Sequence, residues 1–454
     1  MKIWKIPFFS FYDTAGMERY LERMAKKGRM LDHIGNYAWS FVRTEPKDVH
    51  FTVTYYPKAS AFDPEPSEEQ LTFEEFCEHS GWKPVASNAK IMVFANEEED
   101  PVPIHTDPET ELETLEASST SFTVSWTFLL VLLLGLTVLN LARFHFNPVS
   151  FLSQNLSLLN LVMIPLLALV MLLDLTTWYR WRNKCRILVK EGAELPSVHG
   201  YSNYLGILLV IDIGGIVLSL LGESNPRVTY TLLFVIFAII LINLLVNGTR
   251  ILLKKRQASR MENFTVTLFV DLLLAVLFAV GLLWAGEQFR TIEPTAGDTK
   301  PLLRAEELYG SAGSETTYEL DTSSSLLLTD RQTWFSWEPN HPEENRLPLQ
   351  YEILDIHTPF LQNFILNEFL HRYDHYGDYE EDWKEEAPFY RYERIDAQPW
   401  DAKAAWRLQA YGDQTDTYLL VWDGRIAELK TSEELNADQI ALVAERFHPE
   451  MEEQ

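Results

Sequence analysis

Five runs of apolar residues, almost free of charge, govern what this chain can become. They are Phe122–Leu141, Leu156–Trp178, Tyr204–Leu221, Val228–Val246 and Phe264–Ala285. A hydrocarbon core roughly 30 Å thick takes about 20 residues of helix, at about 1.5 Å per residue. Each run has that length and polar flanks, so a five-helix transmembrane bundle over residues 122–285 is expected. The same segregation excludes a soluble globule, a disordered chain and a secreted disulfide scaffold.

Basic residues set the expected orientation. The connection after the second run carries Arg180, Arg182, Lys184, Arg186 and Lys190, and that after the fourth carries Arg250, Lys254, Lys255, Arg256 and Arg260. The other two connections hold only Arg143 and Arg227. Cation-rich connections face the cytoplasm, so the N-terminal segment is expected inside and the C-terminal segment outside, in a cell membrane. The short outer connection after Gly222 holds Asn225-Pro226, a turn signal. The start, MKIWKIPFFSFYD, has no apolar core of signal-peptide length, so the first run is expected to act as its own insertion signal.

The net charge of −27 is unevenly spread. Residues 1–120 hold 12 basic and 22 acidic side chains, 121–285 hold 12 and 7, and 286–454 hold 14 and 36. A nucleic-acid partner is disfavoured, because phosphate binding needs concentrated Lys and Arg. The lipid bilayer is the first partner implied, with the cationic connections resting on anionic headgroups. The two cysteines, Cys77 and Cys185, both fall before the outer segment, which therefore has no disulfide to staple it.

Residues 1–96 read as a cytoplasmic α+β domain. Lys2–Phe9 is extended, and Thr14–Lys27 is helical with Asp13 or Thr14 as its cap and Met17, Tyr20, Leu21 and Met24 on one face. Tyr37–Val42 and Val49–Tyr55 alternate as strands, a second helix covers Glu68–His79, and Lys90–Phe94 is a strand. Each half has a helix ending at a glycine, Gly28 or Gly81, then an extended stretch and a strand. This duplicated helix–strand–strand unit on one sheet suggests a ferredoxin-like fold. No phosphate loop, Cys/His metal pattern or Ser/His/Asp order occurs in it, and His33, His50 and His79 read as ordinary residues.

The block Pro7-Phe8-Phe9, the helix with Glu18, Leu21, Met24, Ala25, Lys27 and Gly28, then Trp39, Phe41, Gly81-Trp82, Phe94 and His105-Thr106-Asp107 form a recognisable set. Together they resemble the bacterial membrane-protein family called domain of unknown function 2812. The family pattern has Trp after the Lys-Gly, where this chain has Arg29. The resemblance covers about the first quarter of the chain. It implies a bacterial membrane protein, often encoded beside a PadR-like transcriptional regulator, and carries over no catalytic residue or cofactor. Residues 97–121 read as an acidic linker, ending in a short helix over Glu109–Glu116.

Ionisable groups within lipid are costly and so are functional candidates. Asp174, Asp212, Asn243 and Asp271 all fall in the cytoplasmic halves of their runs and are expected to form a polar cluster. Such a cluster would bind a cation or proton, or would act as interhelical hydrogen-bonding glue that couples a signal. Pro165 is expected to kink the second run, and Gly214-Gly215 to allow close helix contact.

Residues 286–454 read as an acidic extracytoplasmic α+β domain. A strand is expected around Tyr351 and Ile353, and a helix over Pro359–Tyr376. A hairpin is expected with Tyr418–Trp422 and Arg425–Leu429 flanking Asp423-Gly424, then a last helix capped by Asn436. His371 and His375, four apart, are a candidate metal pair. The spacing is that of an inverted zincin, but Asp374 stands where a Glu is required and no third ligand is evident, so a solvated helix end is the preferred reading. The seven carboxylates from Asp374 to Glu386 lack the spacing of an EF-hand and read as a solvated face.

The fold class expected is therefore α+β, membrane bundle, α+β. The leading function is a non-enzymatic signalling protein, a sensor or regulator without cofactor. Its outer domain would meet a cationic peptide or divalent cation, and its inner domain would bind a cytoplasmic protein. An ion-coupled transporter using the intramembrane carboxylates is the second reading, and an envelope scaffold the third.

Overall fold

The computed structural model describes residues 2–35, 38–64, 68–105, 107–221, 226–290, 300–310, 316–337, 349–373 and 390–449. The chain divides into two compact units. One comprises Met1–Leu139, Leu161–Gly215 and Leu233–Gly286, and the other Asn140–Asn160, Ile216–Leu232 and Glu287–Gln454.

The N-terminal sheet region runs β1 (Lys2–Lys5), α1 (Thr14–Lys26), β2 (Arg29–Ile34), β3 (Trp39–Arg43), β4 (His50–Tyr55), α2 (Glu68–His79), β5 (Lys83–Asn88) and β6 (Ile91–Asn96). The repeat is thus strand–helix–strand–strand, with a leading strand in each half. Hydrogen bonds form two three-stranded antiparallel sheets, β1-β3-β2 and β4-β6-β5, where a single sheet was expected. Each half carries all three strands it needs, the last inserted between the other two, and so completes its own ladder. Asp13 caps α1 by accepting from the Gly16 amide at 2.9 Å. Both helices stop at a left-handed glycine, Gly28 at φ +68° and Gly81 at φ +86°. The next residue enters a strand after the first helix, and is the buried Trp82 after the second. One face of α1 buries Met17, Leu21 and Met24 against Phe41 of β3 and Phe51 and Val53 of β4, so a single core serves both sheets.

Next come α3 (Pro108–Phe146), α4 (Pro148–Leu152), α5 (Asn155–Lys190), α6 (Ser202–Leu221), α7 (Pro226–Lys255) and α8 (Arg260–Arg290). Five of these are long and apolar enough to cross a membrane, and they contain the five expected runs. The expected linker differs in its second half. Asp107 caps α3 through Thr110, whose amide lies at 3.1 Å, and Pro108 opens the helix. With no Pro or Gly between Glu109 and Leu134, the helix then runs unbroken into the first span. Its Leu112 and Leu115 are buried. Leu130 of α3 packs on Ala168, Met171 and Leu175 of α5, while Phe234 of α7 stacks on Phe278 of α8. Much of the remaining apolar surface of the long helices is exposed, as lipid-facing surface must be.

The C-terminal region contains α9 (Ala305–Tyr309), β7 (Thr316–Ser324), β8 (Leu328–Trp337), β9 (Leu349–Ile356), α10 (Gln362–Leu370), β10 (Tyr390–Ile395), β11 (Ala404–Ala410), β12 (Asp413–Trp422), β13 (Arg425–Thr431) and α11 (Ala437–Phe447). The strands form one antiparallel sheet in the order β10-β11-β12-β13-β9-β8-β7. The β12–β13 hairpin pairs Trp422 with Arg425 around Asp423-Gly424. Asn436 caps α11 in a capping box with Gln439. Strand alternation gives the sheet two apolar faces. Tyr351, Ile353, Leu420 and Leu429 pack with Leu308 of α9 and Val443 and Phe447 of α11. Leu354, Leu419, Val421 and Ile426 pack with Ile365 and Phe369 of α10 and with Val149 and Leu152 of α4. Helix α4 is fixed there by Ser325, whose hydroxyl donates to the Leu152 carbonyl at 2.6 Å. The helix expected over Pro359–Tyr376 opens instead with a 3-10 turn, Pro359–Leu361, and ends at Leu370.

Candidate functional site

Asp174, four residues before the end of its apolar run, is buried. Its Oδ1 accepts from Ser10 Oγ at 2.5 Å, from Tyr12 Oη at 2.8 Å and from the Tyr201 amide at 2.7 Å. Ser202 Oγ lies 2.9 Å from Ser10 Oγ. Three segments far apart in sequence therefore converge on one oxygen: the loop before α1, helix α5 and the turn leading into α6. Buried carboxylates need such donors, since an unpaired charge there is prohibitively costly. Burial, then the Asp174 carboxylate beside it, keeps the Tyr12 phenol protonated far above its ordinary range.

Close approach shapes the same place. A Cβ on Gly200 would lie 1.7 Å from Ser10 Oγ, and one on Gly206 would lie 2.2 Å from the Phe8 ring. Aromatic rings complete the junction: Tyr12 stacks on Trp178 at 5.6 Å, and Phe11 meets Trp178 at 4.7 Å. The expected glue role for Asp174 thus takes a different form, with the residue tying a long helix to the N-terminal segment.

The other sequence candidates lie elsewhere. Asp212 is half-buried in α6, and its Oδ1 is buried with no hydrogen-bond partner. Asn243 of α7 donates to the Ile239 carbonyl of its own helix at 2.9 Å. Asp271 of α8 is exposed. His371 sits at the C-terminal end of α10, exposed, with Nδ1 2.8 Å from the Asn367 carbonyl. His375 and the acidic run Asp374–Glu386 lie outside the described residues. Among the described residues no group of three or more His, Cys, Asp or Glu side chains is arranged to hold a metal.

Beside the Asp174 junction is a cavity of about 200 Å³, lined in part by Glu18, Thr54, His105, Glu111 and Trp181. Glu18 of α1 accepts from the Val53 amide at 2.9 Å. His105 Nε2 lies 2.8 Å from Thr54 Oγ1, and burial holds its pKa below the ordinary imidazole value. Burial raises the carboxyl pKa of both Glu18 and Glu111, and the charge of Glu194 adds to the effect on Glu111.

A second polar cluster, not foreseen from sequence, lies in the C-terminal sheet. Glu352 of β9 and Glu428 of β13 are direct cross-strand partners. Arg372, just after α10, bridges them at 2.5 and 3.1 Å. Tyr392 and Tyr373 donate to Glu428 at 2.7 and 3.0 Å. Asp330 of β8 accepts from Gln332 at 3.0 Å, while its Oδ1 is buried without a partner. Burial, then the charge of Glu352, pushes the Asp330 carboxyl up to about 8. The sequence signal was present but faint: a single buried carboxylate, Glu352 or Glu428, within each of two largely apolar strands, β9 and β13.

No curated protein and no solved structure matches the chain. The model of the family described as "Protein of unknown function (DUF2812)" matches residues 13–127, from α1 into the first span, which supports the resemblance read from the sequence.

Proposed function

We propose that the chain is a non-enzymatic regulator of the bacterial cell membrane, its N-terminal region cytoplasmic and its acidic C-terminal domain outside. The division into an inner domain over 1–96, a five-span bundle over 122–285 and an outer domain over 286–454 belongs to this reading, as does a ferredoxin-like pairing of the two N-terminal repeats. The Asp174 junction carries it. A shift of α5 pulls on Ser10 and Tyr12, and so on the entry to α1, which converts helix movement into a change in a domain able to hold a cytoplasmic protein. Each long helix also contributes residues to both compact units, giving the signal a covalent route. Orientation is supported by the cationic connections: Arg186 and Arg260 pair with Glu116 and Asp63 of the N-terminal region. The acidic outer domain suits a cationic peptide or divalent cation as stimulus.

Two cysteine variants test the threading. Phe76 and Tyr411 are both exposed. In intact cells a membrane-impermeant maleimide should label Tyr411→Cys and spare Phe76→Cys. The reverse pattern rejects the proposal. Ion-coupled transport is the competing reading, and Asp174, held by three donors, is poorly placed to shuttle a proton. Solute or proton flux lost in Asp212→Asn or Asp271→Asn would favour the transporter. A stable membrane partner that co-purifies irrespective of any stimulus would favour a scaffold.

A further inference from the structure

We propose that the cavity beside the Asp174 junction binds a small organic ammonium ion. The argument begins with which lining groups are already engaged. Tyr12 Oη donates to Asp174, Tyr55 Oη to the Phe11 carbonyl and Trp181 Nε1 to the Pro196 carbonyl. The Val53 amide donates to Glu18. These four donors are thus spent on the protein itself, while the lining hydroxyls of Thr14, Thr114 and Ser197 can each donate or accept. Acceptors are in surplus. The Glu111 carboxylate has no hydrogen-bond partner among the described residues, and Glu18 stands near enough for the two charges to be felt by each other.

A cavity lined by two carboxylates and by no lysine or arginine selects a ligand of the opposite charge. That ligand must be cationic and carry several N–H bonds. Tyr12, Tyr55 and Trp181 add aromatic surface, to which cations are attracted. The volume, about 200 Å³, holds several waters or one short alkylammonium and excludes a folded partner. A metal ion is a poor fit, because two carboxylates and a histidine engaged with Thr54 do not make a coordination shell here. Binding does not depend on the relay proposed above, since the cavity lies wholly within residues 12–198.

The test is titration calorimetry on the full-length protein in detergent, with butylammonium as probe. Tetramethylammonium, which has the same charge and no N–H, and butyrate are the comparators. Saturable one-site binding of butylammonium is expected, with tetramethylammonium weaker by about tenfold, the equivalent of one charge-assisted hydrogen bond. Glu111→Gln should weaken butylammonium by at least about tenfold while leaving the unfolding temperature unchanged. Thr114→Phe, which fills the cavity without altering charge, should abolish binding. No saturable binding at millimolar butylammonium overturns the proposal. So does affinity retained in either variant, or equal binding of butyrate.

Discussion

The two buried carboxylate sites use opposite chemistries. Asp174 is held by neutral donors, two hydroxyls and an amide, with no cation among those partners. The C-terminal cluster packs Asp330, Glu352 and Glu428 around Arg372, with Lys430 3.8 Å from Glu428. Neutral donors hold a charge by geometry alone, so the first site is sensitive to small displacements of the segments that supply them. A charged cluster in which carboxylates outnumber cations is sensitive to protonation and to loss of its one bridging arginine. The first arrangement suits mechanical coupling, and the second suits a rigid but titratable sheet.

The contrast is broken most forcefully at Arg372. Arg372→Ala leaves Glu352 and Glu428 facing each other across adjacent strands with the bridging guanidinium gone. Removing one partner of a buried ion pair costs about 3–5 kcal/mol. Hydrogen exchange on the full-length protein should show β9 and β13 losing protection while α1 keeps its own. Unchanged protection in β9 would mean that the cluster does not hold the sheet.

Asp174→Ala comes next. It strands the Tyr201 amide and leaves Ser10 only Ser202 and Tyr12 only the backbone carbonyl of residue 174, so at about 1–3 kcal/mol for an unsatisfied group a loss of about 2–4 kcal/mol is expected. Exchange should rise over residues 8–14 and 199–203 and not in the C-terminal sheet. Gly200→Ala is smaller, about 1–3 kcal/mol by overpacking, and acts at the same place because its Cβ would collide with Ser10. A Ser10→Gly background removes the struck atoms and should relieve most of that cost. Failure of this rescue would place the strain elsewhere.

These residues also mark what sequence could convey. The apolar runs, the bounds of α2, the Asn436 cap and the Asp423-Gly424 hairpin were legible because each rests on neighbours within a few positions. The partners of Asp174 were not, since Ser10 lies 164 residues away and the Tyr201 amide is a backbone group with no sequence signature. The polar strands β7 and β8 lacked the alternation that marked β9, and the helix expected over Glu109–Glu116 was read as short because an acidic, apolar-poor stretch gives no sign that it extends a helix a span already nucleates. The pairing of Glu352 with Glu428 required register, which emerges only once β9 and β13 are placed side by side.

The gentlest perturbation concerns Asp330. Its carboxyl is raised on folding, to about 8, so the folded state takes up a proton that the unfolded state, titrating near 4, releases. The associated stability is fully present below pH ~4 and is lost as pH rises through about 8. Asp330→Asn keeps an acceptor toward Gln332 and offers an N–H where the protonated acid offered its O–H. Near pH 5 the variant should therefore unfold much as the parent does. Between pH 5 and 8 the parent's C-terminal sheet should lose protection steadily while the variant's stays nearly level, read from exchange of the β8 and β9 amides. Parallel pH profiles would show that the Asp330 carboxyl does not carry the pH dependence of the sheet.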